Sequence, residues 1–247
     1  SRTVTRPSFI EMAPFLYQES YGSAQIRGNA DLQNGYNYNI DLRYELFEKN
    51  GDMLSITAYY KHLKAPIERV QTLSGGSAVH SFRNADNGMA TGVEIEFRKE
   101  IVKDLRFGVN SSYMYTNVKL PEGGAYTNSQ RALQGASPYL ANADLTYSPA
   151  FSNDRQLSVA LLYNLQGPRI HSVGISGLGD IKQQPVHTLN FTGSYRFNRR
   201  FAVKLQVNDL LNQDILFKQE VPTTGDKVEV ERFRKGTGFE VGFSYDL

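Results

Sequence analysis

The sequence predicts an all-β fold, an antiparallel up-and-down transmembrane β-barrel. Three observations carry that prediction: a two-residue alternation, the lengths of the alternating runs, and the order of the connections. Along the last nine residues, Phe239, Val241, Phe243, Tyr245 and Leu247 alternate with Glu240, Gly242, Ser244 and Asp246. A strand turns successive side chains to opposite faces, so this segment has one apolar face and one polar face. The alternation recurs at 36–46, 54–61, 93–98, 105–115, 139–147, 157–166, 188–197 and 201–208, and in part at 1–5, which makes ten strands in all. Several runs approach the roughly ten residues that a tilted strand needs to cross hydrocarbon. Strands of soluble proteins are shorter, about five or six residues. A soluble β-sandwich also alternates, so the connections matter as much as the strands.

Short connections fall at 48–52, 103–104, 149–154 and 198–200, and long ones at 7–34, 65–87, 119–136, 167–185 and 214–235. Long and short alternate throughout, as the extracellular loops and periplasmic turns of outer-membrane barrels do; a sandwich has no reason to keep that order. Asn50-Gly51 is a strong hairpin signal. Ser74-Gly75-Gly76-Ser77 reads as the turn of a second hairpin inside a long connection. The expectation is one domain over 1–247 in a bacterial outer membrane, with the long loops extracellular and the C-terminus periplasmic.

Composition restricts partners. A net charge of +2 over 247 residues gives no reason to expect nucleic acid. No run of about 18 apolar residues could form a spanning helix, but half of each barrel strand faces water, so a barrel hides from that test. Tyr (15) and Phe (14) are plentiful and Trp is absent, so Tyr must supply any interfacial belt. With no Cys there is neither a disulfide framework nor a thiolate site. Ser1 to Pro7 has no apolar signal core and the chain does not begin with Met, so it is expected to be a piece of a longer protein.

The polar faces name candidate lumen-lining residues: Asn37, Asn39, Asp41, Arg43 and Glu45; Glu94, Glu96 and Arg98; Lys204, Gln206 and Asn208. Each Arg or Lys placed against lipid at the midplane would cost about 2–4 kcal/mol, so these faces must point inward. Paired carboxylates can serve acid/base chemistry, but two beside an Arg on one strand suit a hydrogen-bonded wall. His62, His80, His171 and His187 lie at no metal-ligand spacing. There is no G-x-S-x-G elbow. Asn84 to Gly88 lacks the acidic twelfth ligand of a calcium loop, since Ile95 stands there. Gly174 to Gly179 follows no strand-to-helix pattern, so it is no phosphate loop. No catalytic residue, metal or cofactor is assigned, and the chain is not read as an enzyme. In the long connections Arg27, Tyr126, Arg131, Arg169 and His171 are candidate ligand contacts, although generic solvated positions account for each equally well.

Loop and strand-end residues resemble those of TonB-dependent receptors, particularly the Bacteroidota type. Arg6-Pro7-Ser8-Phe9 with Ala13-Pro14-Phe15 resembles the family's RPxF…APF segment. Gly28-Asn29-Ala30-Asp31-Leu32 is similar to its GNPDLKPE stretch, with Ala30 in place of Pro and Asn34-Gly35 in place of the closing Pro-Glu. Asn84-Ala85-Asp86-Asn87 before Gly92-Val93-Glu94, Leu133-Gln134-Gly135-Ala136-Ser137-Pro138-Tyr139, and Asn208-Asp209-Leu210-Leu211-Asn212 resemble further segments in the same order. The resemblance implies about ten C-terminal strands of a 22-stranded barrel whose lumen holds an upstream plug. It implies energised import of a scarce ligand, with lipid bilayer and lipopolysaccharide around the wall, TonB acting through the plug, and a lipoprotein lid in some members. Phe239, Val241, Phe243, Tyr245 and Leu247 resemble the signal read by the barrel-assembly machinery, although members usually end in Phe. Siderophore, haem, cobalamin, glycan and peptide all remain open as ligands. A passive porin or self-contained ten-stranded barrel is one alternative. An outer-membrane enzyme is another; it would need a His beside a Ser or carboxylate at a strand mouth, where only His62 and His187 lie near strand ends.

Overall fold

The computed structural model describes every residue except 19–24, 49, 75–76, 124–125, 152–153 and 246–247. In chain order the elements begin β1 (Arg2–Thr5), α1 (Phe9–Met12), β2 (Leu16–Tyr17), β3 (Ile26–Arg27), β4 (Gly35–Phe47), β5 (Met53–Lys64), β6 (Ile67–Ser74) and β7 (Ser77–Asn84). They continue as β8 (Asn87–Val102), β9 (Leu105–Lys119), β10 (Gln130–Arg131), β11 (Tyr139–Tyr147), β12 (Gln156–Gln166) and β13 (Arg169–Ser172). The last are β14 (Ile181–Gln183), β15 (Val186–Arg196), β16 (Phe201–Asn208), β17 (Ile215–Val221), β18 (Asp226–Phe233) and β19 (Gly238–Tyr245).

The alternating segments form one antiparallel sheet in the order β1-β4-β5-β8-β9-β11-β12-β15-β16-β19, with β10 attached to β9. All ten predicted strands are there. Each neighbour in this order is the next alternating segment along the chain, the up-and-down arrangement. The largest boundary difference is β8, which starts at Asn87 and not at 93. Asn87-Gly88 and Gly92 look like turn residues, but the strand runs through them, and Gly92 leaves room for the Tyr59 ring. The sheet is open: its end strands β1 and β19 do not pair with each other.

Register places the apolar residues in rows. Leu42, Ala58, Val93, Tyr113 and Tyr139 face one another across five strands. The next row is Tyr44, Ile56, Ile95, Ser111, Ala141 and Leu165. Among the described residues nothing covers this face: Ile40, Leu42, Phe239 and Phe243 are each more than 70 % exposed. A contiguous apolar surface of this extent marks an interaction surface. The opposite face is polar and cross-linked. Asn164 Nδ2 donates to Asn142 Oδ1 at 2.5 Å, and Asn142 Nδ2 donates to Asn110 Oδ1 at 2.6 Å, a ladder over three strands.

Turn chemistry fixes the short connections. Asn50 Oδ1 accepts from the Asp52 N–H at 3.1 Å, and Gly51 takes φ +87°, which costs an L side chain heavily. Asp52 Oδ1 accepts the Glu100 N–H at 2.9 Å, and that bond holds its carboxyl below the usual carboxylate range. Asn198 Oδ1 accepts the N–H groups of Arg200 and Phe201, each at 2.9 Å.

The family-like motifs turn out to be structural ties. Ser8 and Glu11 form a reciprocal capping box on α1. Asn84 Nδ2 donates to the carbonyls of Gln33 and Ala65, both at 2.9 Å, and its Oδ1 accepts the Gln33 N–H at 2.8 Å. Asp209 and Asn212 adopt positive φ, with the Asn212 N–H on Asp209 Oδ1. At Gly28 the chain passes so close to α1 that an added Cβ would lie 2.3 Å from the Ala13 carbonyl oxygen and 2.8 Å from that of Glu11. Gly28→Ala is therefore expected to force the backbone apart and cost about 1–3 kcal/mol. Faster protease nicking within 7–34, with the strands intact by circular dichroism, would show it.

Candidate functional site in the long connections

Most of the well-buried apolar residues lie outside the wall strands; Ala90, Val118 and Val207 are on them, toward the end that carries the long connections. Val70, Ala85, Val118, Leu120, Tyr126 and Val173 form one cluster, with Leu133 packed against it. They come from the long connections and the strand ends that feed them. These connections build two small sheets, β2-β3-β7-β6 and β13-β14-β17-β18. The expected second hairpin is β6–β7, with Ser74 opposite Ser77; Gly75 and Gly76 lie outside the described residues. Tyr126 bridges to Ile175, and the Thr127 N–H donates to the Gly174 carbonyl at 2.8 Å, tying two further connections together.

A buried ion pair crosses this core. Arg131 Nη1 lies 2.9 Å from Glu68 Oε2, with both side chains almost fully enclosed. Burial pushes the Glu68 carboxyl above its ordinary range, and Arg131 draws it back only in part. Beside it Arg69 Nε donates to His80 Nδ1 at 2.8 Å. Gln71 lies 3.2 Å from His80 Nε2 and 2.5 Å from Ser172 Oγ, which links β6 and β7 to β13. On the last long connection Arg232 joins Asp214 and Glu229, at 3.0 and 2.6 Å, and Arg234 also pairs with Asp214. The Arg234 hydrogen bond holds the Asp214 carboxyl below its usual range. Among the described residues no group of three or more His, Cys, Asp or Glu could hold a metal.

Two concavities flank the core. One, about 320 Å3, is lined by Glu11, Glu68, Arg69, Gln134, Arg169 and His171, among others. The second, about 450 Å3, takes in Tyr113, Tyr115, Arg131, Arg169, Asp180 and Lys182. Arg169 borders both, with its Nε donating to Gln183 Oε1 at 2.7 Å. His171 is exposed and stands edge-on to Phe217.

The candidate ligand contacts thus divide. Arg169 and His171 come together at the smaller concavity. Arg131 is 7 % exposed and engaged with Glu68, and Tyr126 is 9 % exposed inside the core, so both act first as structure. Arg27 lies exposed on β3, opposite Leu16. Sequence reasoning missed Glu68, Asp180 and Lys182; no local pattern marks them, because their partners come from distant connections.

The candidate lumen residues share the polar face. Arg43 pairs with Glu45 at 2.6 Å and donates through Nε to Ser55 Oγ at 3.1 Å. Glu96 pairs with Arg98 at 2.6 Å. Asn37 and Asn39 donate to Thr3, Asn37 also to Thr5, and Gln206 donates to Asn208. A polar hollow of about 260 Å3 lies over Arg43, Glu94, Glu96, Asn110 and Asn142. Asp41 stands opposite Tyr59, and Lys204 lines a separate hollow near Ser194 and Ser244. Phe239, Val241, Phe243 and Tyr245 take the apolar face opposite Val207, Leu205, Val203 and Phe201; Leu247 lies outside the described residues.

The Outer membrane protein beta-barrel family matches residues 1–245. No curated protein matches the chain. Among solved structures, a mutant of the ferric enterobactin receptor PfeA from Pseudomonas aeruginosa aligns over 99 % of this chain, at 18 % identity and TM-score 0.65. The siderophore receptor PirA from Acinetobacter baumannii aligns over 99 % at 16 % identity and TM-score 0.63. The ferric yersiniabactin uptake receptor FyuA from Yersinia pestis aligns over 87 % at 16 % identity and TM-score 0.58. The chain spans 37 %, 38 % and 30 % of those three chains, respectively. It belongs to the outer membrane protein beta-barrel family, with the fold of the C-terminal barrel part of TonB-dependent receptors.

Proposed function

We propose that this chain is a wall segment of a TonB-dependent outer-membrane receptor and that its long connections help to capture the imported ligand. The observation that carries the reading is the open, two-faced sheet of ten strands. Unpaired backbone groups in hydrocarbon cost several kcal/mol each, so β1 and β19 need further strands beside them. That favours a larger barrel over a porin of ten strands. On this reading the polar face, from Asn37 to Glu45, Glu94 to Arg98 and Lys204 to Asn208, meets a plug through which TonB acts. The long connections face outward, and the short turns and C-terminus lie in the periplasm. The Bacteroidota subtype rests on the motifs alone. The barrel-assembly machinery and, in that subtype, a lipoprotein lid are the further partners.

The ligand is an anionic chelate. Arg69, Arg169 and His171 line the smaller concavity and outnumber the carboxylates of Glu11 and Glu68 there, and the aligned proteins carry the names ferric enterobactin receptor, siderophore receptor and ferric yersiniabactin uptake receptor. Ferric enterobactin, offered to cells making the full-length protein, is the first probe. Arg169→Ala with His171→Ala is expected to weaken capture at least tenfold, about one charge-assisted hydrogen bond, with the amount of protein in the membrane unchanged. Capture unaffected by both changes, or uptake that persists without TonB, would sink the proposal.

A further inference from the structure

The wall has a notch at its upper end. β9 pairs with β10 at Val118 and Lys119, and with β11 only from Tyr113 downward. Among the described residues no strand pairs with 115–117 on that edge. The segment 132–138 crosses the gap as a strap. The Leu133 N–H donates to Thr116 Oγ1 at 3.1 Å, and the Gly135 N–H donates to the Ile170 carbonyl at 3.0 Å. Gln134 Nε2 donates to the His171 carbonyl at 2.7 Å, and Ser137 Oγ to that of Gly167 at 3.0 Å. The strap therefore ties β9 to β13.

Strap and β13 stand between the two concavities. Gln134 and Gly135 line the smaller one, whereas Ala132, Ala136 and Pro138 line the larger. Glu68 lines the smaller and its partner Arg131 the larger, while Arg169 and Ile170 line both. The chemistry differs on the two sides. The smaller concavity carries Arg69, Arg169 and His171. The larger is mainly apolar, with Met114, Ala132, Ala136, Pro138, Pro168 and Ile170, and with Tyr113 and Tyr115 beside them. Its other charges are already engaged or offset: Arg131 pairs with Glu68, Asp180 accepts the Gly174 N–H at 2.9 Å, and Lys182 opposes Asp180 in sign. Tyr113 belongs to the apolar row of Leu42, Ala58 and Val93, and Tyr115 to that of Ile40, Tyr60 and Thr91. Both rings are exposed. The larger concavity thus reaches the apolar face of the wall, and Arg169 stands where it meets the cationic one.

A compact hydrophilic chelate would use the smaller space alone and leave the apolar lining wet. A molecule with a charged head and a hydrocarbon tail uses both, because the tail takes that lining out of water.

We infer that the imported ligand is an amphiphilic chelate, an anionic metal-binding head joined to an acyl tail. The head meets Arg169 and His171. The tail passes beside Arg169, lies against Ala132, Ala136 and Pro138, and ends toward Tyr113 and Tyr115. This inference rests on the capture reading above and adds the class of ligand to it.

Equilibrium binding to the full-length protein in lipid nanodiscs, with binding to empty nanodiscs subtracted, tests it. The probes are a pair of ferric tris-catecholates with one head, the first bearing a dodecanoyl tail and the second an acetyl group. The dodecanoyl probe is expected to bind at least tenfold more tightly. Ala132→Phe and Ala136→Phe, each filling the larger concavity, are expected to remove that difference. The acetyl probe should bind both variants as it binds wild type, which also shows that they are folded. Equal affinity of the probes for wild type would overturn the inference and leave the capture reading intact. A difference that survives both Phe variants would overturn it too, by placing the tail elsewhere. Dodecanoic acid competing as well as the dodecanoyl probe would do the same, by showing a simple lipid site. Binding of neither probe would sink the capture reading and the inference with it.

Discussion

Ile95→Arg is expected to abolish recovery of folded protein from the outer membrane, while Glu96→Gln, one residue away, leaves it intact. Ile95 sits mid-row on the apolar face between Ile56 and Ser111. A guanidinium there costs about 2–4 kcal/mol at the bilayer midplane, a large share of the 5–15 kcal/mol that typically holds a domain together. Glu96 lies on the other face in an ion pair with Arg98, whose side chain is 65 % exposed; such pairs contribute about 1 kcal/mol or less. Heat-modifiable migration on gels and membrane fractionation read both variants. The opposite ranking, with Ile95→Arg tolerated and Glu96→Gln lost, would reverse the assignment of the two faces.

Arg131→Met is the second large effect. Removing one partner of a buried pair leaves the other charge uncompensated, at a cost of about 3–5 kcal/mol. Glu68 is then enclosed without its cation. Because its carboxyl is already raised by burial, the sign of the pH dependence follows. The stabilisation linked to a raised carboxyl is fully present below the ordinary carboxylate pKa and is lost as pH rises through the raised value. Arg131→Met raises Glu68 further, so its penalty is small in acid and full at neutral pH. Hydrogen exchange of the amides in 66–84 and 119–136 against pH measures it, and Glu68→Gln added to Arg131→Met should flatten the curve. Exchange in Arg131→Met identical to wild type at pH 7 would mean that the pair does not hold the connections together.

The wall was legible because its rule is local. Two-residue alternation at 139–147 gives β11 with the bounds the strand has, Tyr139–Tyr147. Asn50-Gly51 names its own turn. The start of β8 is not legible, because Asn87-Gly88 has turn chemistry and pairing to Lys64 and Lys119 on both sides outweighs it. The two-residue strands β2, β3 and β10 carry no alternation and exist only through their partners. For the candidate ligand contacts, sequence reading found Arg169 and His171 but gave no sign that Arg131 would turn inward to Glu68.

By itself the sequence determined where the ten alternating strands of this sheet run, apart from the start of β8, and that each has one apolar and one polar face. Backbone geometry imposes that period whatever the neighbours are. Only the tertiary structure decided how five long connections fold onto one another and which of their charges are buried. Those outcomes depend on contacts between segments far apart in the chain, whose pairing no local pattern encodes.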